Sequence, residues 1–259
     1  MKGKRRNHLS IMATSKPTFF ELLQQSLQNV EGGYDLLAPK FDQSRYITPE
    51  EILRPFFNKL SQEKGAFDKG IDICCGTGAA TVHLAPLCQK EMVALDLSQG
   101  MLEQCQSKLQ PIAPTLKKTF VKANALAMPF ENEFDIAVSF GAFGHILETE
   151  EEVFIAQIHK ILKSGGHFFF ITTTAFPFYS ISLWRQRIFN GILRIRNFLI
   201  EPKFIMYYLT FRLPLVQQKL EANGFRVRIL ENFYMDGYTN KIADLLPLKY
   251  FKLVVAEKI

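Results

Sequence analysis

The chain reads as an α/β protein built on a doubly wound, mostly parallel sheet, and three observations carry that reading. A short apolar run, Ile71 to Cys75, holds one carboxylate, Asp72, and leads straight into a glycine turn, Gly76-Thr77-Gly78. A second apolar run, Met92 to Asp96, ends in a carboxylate 18 residues beyond Gly78. Beyond it, apolar runs of strand length alternate with helical patterns. Glycine lets the backbone approach a ligand closely, and a helix opening there points N–H groups at whatever lies over the turn. An acid at the end of the second strand is placed to accept hydrogen bonds from a ribose diol. The pair therefore describes a site for an adenosine-containing ligand. A nicotinamide-binding turn would want a third glycine where Thr81 stands, so the dinucleotide reading loses its helix-packing residue.

The elements follow in order. Residues 1–16 form a basic, polar tail without periodicity, and its apolar piece Leu9 to Ala13 is too short for a signal-peptide core. Residues 17–64 make an N-terminal helical cap. Phe19, Leu22, Leu23 and Leu27 lie at helical spacing. Thr48, Pro49 and Glu51 form a helix start with a capping box, for a helix to about Gln62 kinked at Pro55. Residues 65–259 make the core. Ala79 to Cys88 is the first core helix, and Ser98 caps the next. Thr119–Ala123 and Glu133–Phe140 are strands three and four. Asp135 starts the latter at the edge of the sheet away from ligands, so its role is structural. Thr149 and Glu152 cap a helix over Glu150–Leu162 with Val153, Ile155, Ile158 and Leu162 inward. His167–Thr173 is the fifth strand, Leu213–Asn223 the last helix stopped by Gly224, and Phe225–Phe233 and Tyr250–Ala256 the last two strands, seven in all.

Asp72-Ile-Cys-Cys-Gly-Thr-Gly78 resembles the first motif of class I S-adenosylmethionine-dependent methyltransferases, with Cys74 in place of the usual first glycine, a change that packing should absorb. Gly33-Tyr34-Asp35-Leu36-Leu37-Ala38 is similar to the segment that folds over the bound cofactor in that family. Tyr34 is a candidate lid contact or else a core aromatic of the cap; Arg45 and Tyr46 are weaker candidates. Asn124-Ala125 to Phe130 resembles the segment that reads the adenine edge, and Asn124 stands where an acid is common; an amide both donates and accepts. Ser139-Phe140-Gly141 to His145-Ile146 resembles the stretch lining the methyl-transfer site.

The resemblance implies S-adenosyl-L-methionine as cofactor, a last strand inserted antiparallel, and a set of contacts. These are Tyr34, Asp72, Cys74, Gly76, Thr77, Gly78, Asp96, Leu97, Met101, Asn124, Ala125, Ser139 and Phe140. Met101 is either an adenine contact or plain core. His145 is the candidate general base, since imidazole titrates near neutrality; the alternative is a structural histidine bonded to another loop. The pattern is similar to the ubiquinone and menaquinone biosynthesis methyltransferases, which implies a small, apolar or aromatic acceptor. A protein or nucleic acid acceptor, and a non-enzymatic cofactor-binding module, are the competing readings.

Composition sets the remaining bounds. Of a net charge of +6, Lys2, Lys4, Arg5 and Arg6 supply four, and no basic repeat points to nucleic acid. Cys74, Cys75, Cys88 and Cys105 show no metal-ligand spacing or disulfide framework, so reduced thiols in a cytoplasmic protein, monomer or homodimer, are expected. Residues 175–211 stand apart, with ten aromatics and five basic residues against Glu201 alone. Such a segment before the last helix suits a substrate lid, a peripheral membrane contact or a self-burying helical cap.

Overall fold

The alternation of apolar runs is realised as seven strands among the described residues, which in this computed structural model are 16–44, 47–230 and 251–259. They are β1 (Phe67–Ile73), β2 (Cys88–Asp96), β3 (Lys117–Lys122), β4 (Phe134–Ser139), β5 (Leu162–Thr173), β6 (Phe225–Leu230) and β7 (Phe251–Lys258). The sheet order is β3-β2-β1-β4-β5-β7-β6. All pairings are parallel except those of β7, which runs antiparallel to both β5 and β6. Order reverses between β1 and β4, where Asp72 pairs with Val138. Crevices at such reversals, beyond the carboxyl ends of the strands, are where open α/β sheets take ligands.

Both faces of the sheet are covered, because β1 and β2 carry apolar residues on alternate sides. Ile71, Ile73, Val93 and Leu95 face a core shared with α6 (Glu151–Ile161) and α8 (Leu215–Ala222). Met92, Ala94, Ile136 and Val138 face a second core, shared with α3 (Glu50–Lys64), α4 (Thr81–Leu84) and α5 (Gln99–Leu109). The N-terminal cap adds α1 (Phe19–Ser26), α2 (Val30–Leu37) and a 3₁₀ turn over Ala38–Gln43. The aromatic segment contributes α7 (Ile181–Leu199).

Several local expectations are corrected. The helix after the glycine turn is one turn long, because Pro86 cannot continue it; Ala85–Leu87 is 3₁₀ and Cys88 already belongs to β2. α3 is capped by Pro49 without a side-chain bond, so Thr48 caps nothing there, and the helix continues through Pro55. Thr149 does not cap α6. The N-cap is Glu150, whose carboxylate accepts the Leu147 N–H at 3.0 Å. Val153 is 47 % exposed, and Phe154 takes the inward position beside it. Ser98 does cap α5, accepting the Met101 N–H at 3.1 Å. Asp135 accepts the Lys69 N–H and pairs with Lys163, a structural role at the far end of the sheet. The basic tail up to residue 15, Arg45, Tyr46, the end of the sixth strand at 231–233 and Tyr250 lie outside the described residues.

One buried carboxylate fastens the aromatic segment to the core. Glu151 is 3 % exposed; it accepts the Phe211 N–H at 2.8 Å and pairs with Lys219 at 2.7 Å. Phe211 in turn stacks on Phe143, centroids 4.3 Å apart. Removing one partner of a buried pair strands the other charge. Glu151→Ala should cost about 3–4 kcal/mol in urea unfolding. The exposed neighbour change Glu152→Ala should stay within about 0.5 kcal/mol.

Candidate active site

The carboxyl ends of β1, β2 and β4 converge on a turn that needs unusual backbone. Cys74, Gly76 and Gly78 all have positive φ, at 57°, 53° and 87°. Gly78 is also sterically required, since a Cβ there would sit 2.7 Å from the Cys105 sulfur. Over Gly76 a Cβ would meet only Phe41, at 4.0 Å, so the turn presents an open backbone surface at that point. Cys74 is a non-glycine in left-handed conformation, normally unfavourable by about 1–2 kcal/mol. It is partly buried against the first core, so packing does absorb the side chain.

Hydrogen bonds lock the turn to the second strand. Cys75 N–H donates to Leu95 O, Gly78 N–H to Cys75 O, and Gly76 N–H to the Asp96 carboxylate at 2.8 Å. These donors belong to the turn itself and are turned inward; they precede the helix, which starts at Thr81. The other Asp96 oxygen accepts the Ser98 N–H at 2.9 Å. Burial lifts the Asp96 carboxyl above its ordinary range, against the pull of these backbone donors. The Leu97 N–H adds a third backbone donor, which still leaves the carboxylate short of its full acceptor capacity. Asp72 is 1 % exposed and takes the Thr81 hydroxyl at 2.6 Å. Burial pushes its carboxyl up to about 7, with the Asp96 charge adding to the rise.

Around this centre the remaining candidates divide. Leu97, 37 % exposed, offers an open apolar surface beside Asp96, whereas Met101 is 1 % exposed and belongs to the core. Asn124 is exposed, its Oδ1 accepting the Leu126 N–H at 2.9 Å, which leaves its amide N–H₂ available; Ala125 is buried beside it. The Ser139 hydroxyl donates to Ile73 O and the Phe140 ring packs on Phe56 and Phe57. Only the backbone at 139–141 can line the site. Thr77 is buried, donating to Asp42 and accepting from Lys108.

The cap forms a roof that sequence reasoning only half described. Asp35 accepts the Ser98 hydroxyl at 2.6 Å and the Gly100 N–H at 2.8 Å. Asp42 holds Thr77 and Lys108. Phe41 stands over Gly76, its ring 6.0 Å from that of Tyr34. Tyr34 is then neither a free lid contact nor plain core: its hydroxyl lies 2.8 Å from His145 Nε2. His145 Nδ1 lies 2.6 Å from Ile205 O. A carbonyl only accepts, so Nδ1 carries the proton and Nε2 accepts from Tyr34. Burial pushes the imidazole below its usual range and keeps it neutral. His145 was expected as a base or as a loop anchor; its Nδ1 is bonded to another loop and its second nitrogen is engaged by Tyr34. A cleft of about 560 Å³ opens beside the turn, touching Gly78, Val82 and Lys108. Asp96, Leu97 and Asn124 do not line it, so it flanks the surface those three residues form.

Residues 71–166, the stretch from β1 through the start of β5, match the family model described as a methyltransferase domain. They form a class I S-adenosylmethionine-dependent methyltransferase domain. A demethylmenaquinone methyltransferase of Lactiplantibacillus plantarum is 29 % identical over 153 residues, covering 57 % of this chain and 64 % of that protein. An uncharacterized methyltransferase of Schizosaccharomyces pombe is 29 % identical over 169 residues, covering 62 % and 57 %. The chain thus matches less than two thirds of the length of these relatives. The fold is shared with the N-methyltransferase NodS from Bradyrhizobium japonicum in complex with S-adenosyl-L-homocysteine. That match has a TM-score of 0.60 at 16 % identity and covers 89 % of this chain and 99 % of that one.

The residues of the methyltransferase domain fit an adenosyl group. The turn is open over Gly76, a half-buried carboxylate with acceptor capacity left stands at the end of β2, and Leu97 and Asn124 lie exposed beside it. Sequence reasoning missed Asp35, Asp42, Thr81 and the Ile205 carbonyl. Nothing local marks Asp42 or Ile205, whose partners lie 35 and 60 residues away. Thr81 was noted only as an absent glycine.

Two predictions follow from the carboxylates. A folded pKa near 7 for Asp72, against 3.8, means the native state holds this proton more tightly than the unfolded chain does. Its stabilising contribution is complete below about pH 4 and is lost as pH rises to about 7. Urea unfolding across that window should show wild type losing stability relative to Asp72→Asn, by up to about 4 kcal/mol. Asp96→Asn keeps one acceptor oxygen and removes the charge. Calorimetric titration should show S-adenosyl-L-homocysteine binding weakened by about tenfold or more, the loss expected for a charge-assisted hydrogen bond.

Proposed function

We propose that the protein transfers a methyl group from S-adenosyl-L-methionine to a small, apolar or aromatic acceptor, quinol-like or lipid-like, by in-line displacement. The observation that carries the reading is the half-buried Asp96 carboxylate locked between the glycine turn and α5, beside the exposed Leu97. The cofactor supplies the methyl already activated on a sulfonium, so the protein's work is position and proton handling. In this reading Asp96 accepts from the ribose hydroxyls, Leu97 packs on the adenine face and Asn124 with the Ala125 backbone reads its edge. The backbone at Ser139 to Gly141 lines the methionine end. Tyr34 and Phe41 close the roof.

The acceptor class rests on two supports. One is the relative of Lactiplantibacillus plantarum, which is named for a menaquinone precursor. The other is the aromatic segment that bonds to His145 and Gly144 beside the end of β4. An acceptor hydroxyl or activated carbon must lose a proton as the new bond forms. Tyr34 can take that proton while passing its own to His145 Nε2, which is neutral and already accepts from it.

The experiment is transfer of labelled methyl to a quinol-like acceptor and to a polar catechol, in parallel with calorimetric binding of the cofactor. Turnover on the quinol and little on the catechol is expected; equal or better turnover on the catechol would sink the apolar assignment. Tyr34→Phe should lower kcat by about a hundredfold, with S-adenosyl-L-homocysteine affinity within about threefold, the spread expected where no charged contact is lost. Because burial lowers the His145 pKa from 6.5, the base form persists to lower pH. The acid limb of the rate profile should fall below pH 6.5 and shift in His145→Gln. No cofactor binding to folded protein would move a non-enzymatic module to first place.

A further inference from the structure

Helix α7 exposes one continuous apolar stripe. Ile181, Trp184, Ile188, Ile192, Ile195 and Leu199 follow one another at steps of 3, 4, 4, 3 and 4, which places them on a single helix face. Each is between 53 % and 77 % exposed among the described residues. At the helix ends Phe178, Tyr179 and Phe198 extend the surface, exposed at 75 % to 87 %. The opposite face does the structural work: Leu183, Leu193 and Asn197 are buried.

Charge is arranged around the stripe. Arg185 falls on one flank, Arg187 and Arg194 on the other, by helical periodicity, and all three are exposed; Arg196 is turned into the segment, donating to Ile200 O and Pro202 O. No acidic residue occurs in the helix. Arg187 lies over the Trp184 ring at 5.3 Å and Arg194 over Tyr207 at 5.5 Å, so both stems run along apolar surface. No helix of the described residues is long and apolar enough to cross a membrane. A helix with a wide apolar face, cationic flanks and an aromatic residue near one end has the pattern that lies in the plane of a bilayer interface. Cationic flanks select the sign of the partner.

We propose that α7 docks on the surface of an anionic lipid bilayer, its isoleucine stripe entering the acyl boundary and Arg185, Arg187 and Arg194 meeting the headgroups. The opposite face couples this to the site. Asn190 exchanges two hydrogen bonds with Tyr208, and Asn197 exchanges two with Phe204. The segment so held supplies Ile205 O to His145, and Tyr207 N–H donates to Gly144 O at 2.7 Å. A docked helix therefore places the Tyr34–His145 pair just behind the lipid surface.

The test uses the full chain and vesicles, and it is read without methyl transfer, so it stands apart from the proposed activity. Trp184 is the sole tryptophan and lies in the stripe. Vesicles of phosphatidylcholine with about 30 mol % phosphatidylglycerol should bind the protein about tenfold better than phosphatidylcholine alone, less so at high salt. Trp184 emission should shift to the blue and be quenched by brominated acyl chains. The double change Ile188→Glu with Ile192→Glu should abolish flotation with the unfolding midpoint unchanged. Arg185→Gln with Arg187→Gln should remove the preference for anionic vesicles. Wild type that stays unbound, or unquenched Trp184, overturns the proposal whatever the variants do. So does a concentration-dependent dimer, without vesicle binding, that Ile188→Glu with Ile192→Glu dissociates; the stripe would then serve a second copy of the chain.

Discussion

The Asp96 carboxylate is the constraint on which the site depends. One of its oxygens holds the glycine turn that leaves β1, and the other holds the turn that opens α5. Its own backbone carbonyl takes the Ala123 N–H at the end of β3. Three strand ends are thereby fixed relative to one another by a single residue. The carboxylate is half-buried, which raises the energy of its charged form, and the backbone donors offset only part of that cost. A hydroxyl pair arriving from solvent meets an acceptor that needs no rearrangement. Preorganisation of this kind lets a ligand bind without ordering the loop it touches.

The roof is held by the same chemistry, a carboxylate at a backbone turn. Asp35 satisfies the first turn of α5 alongside its cap Ser98, and Asp42 bridges Thr77 and Lys108. These contacts join the cap to the turn from two directions. Lys108 and Asp42 are partly exposed, so their pair is worth little by itself. Asp35 is itself exposed, so both attachments of the roof are of this modest kind. Such an arrangement suits a segment that must part to admit a ligand and close again.

What was legible in the sequence was what short-range patterning encodes. The strands of the sheet show as apolar runs, and the turn shows as Gly76 and Gly78, because only the absence of a Cβ permits the backbone there or the approach of Cys105. Asp72 and Asp96 were legible by position within those runs. What failed were details where one local rule overrode another. Pro86 cut the helix that apolar spacing extended to Cys88, and the Glu150 carboxylate displaced Thr149 at the start of α6. Pairings across the chain were out of reach for a different reason. Tyr34 and His145 are 111 residues apart, and a Tyr and a His each have many plausible partners when read alone. Their bond follows from topology, since α2 lies over the end of β4 only after the sheet has formed.

The aromatic segment resolves differently from either of the simple options for it. A self-burying cap would turn its large apolar residues inward, yet the stripe from Ile181 to Leu199 faces out. A free lid would have few bonds to the core, yet 204–211 is stitched to it by Gly144, His145, Phe143 and Glu151, and to α7 by Asn190 and Asn197. The segment spends its polar side chains on attachment and leaves its apolar ones unspent. An exposed apolar stripe is costly in water, and monomeric soluble proteins rarely keep a large one without a partner. Attachment fixes the direction in which the stripe faces, so the partner is held in one orientation relative to His145. If the segment served only to cover the site, nothing would require the stitching to leave the outer face bare; the bare face and the fixed attachment are explained together only when both belong to one docking geometry.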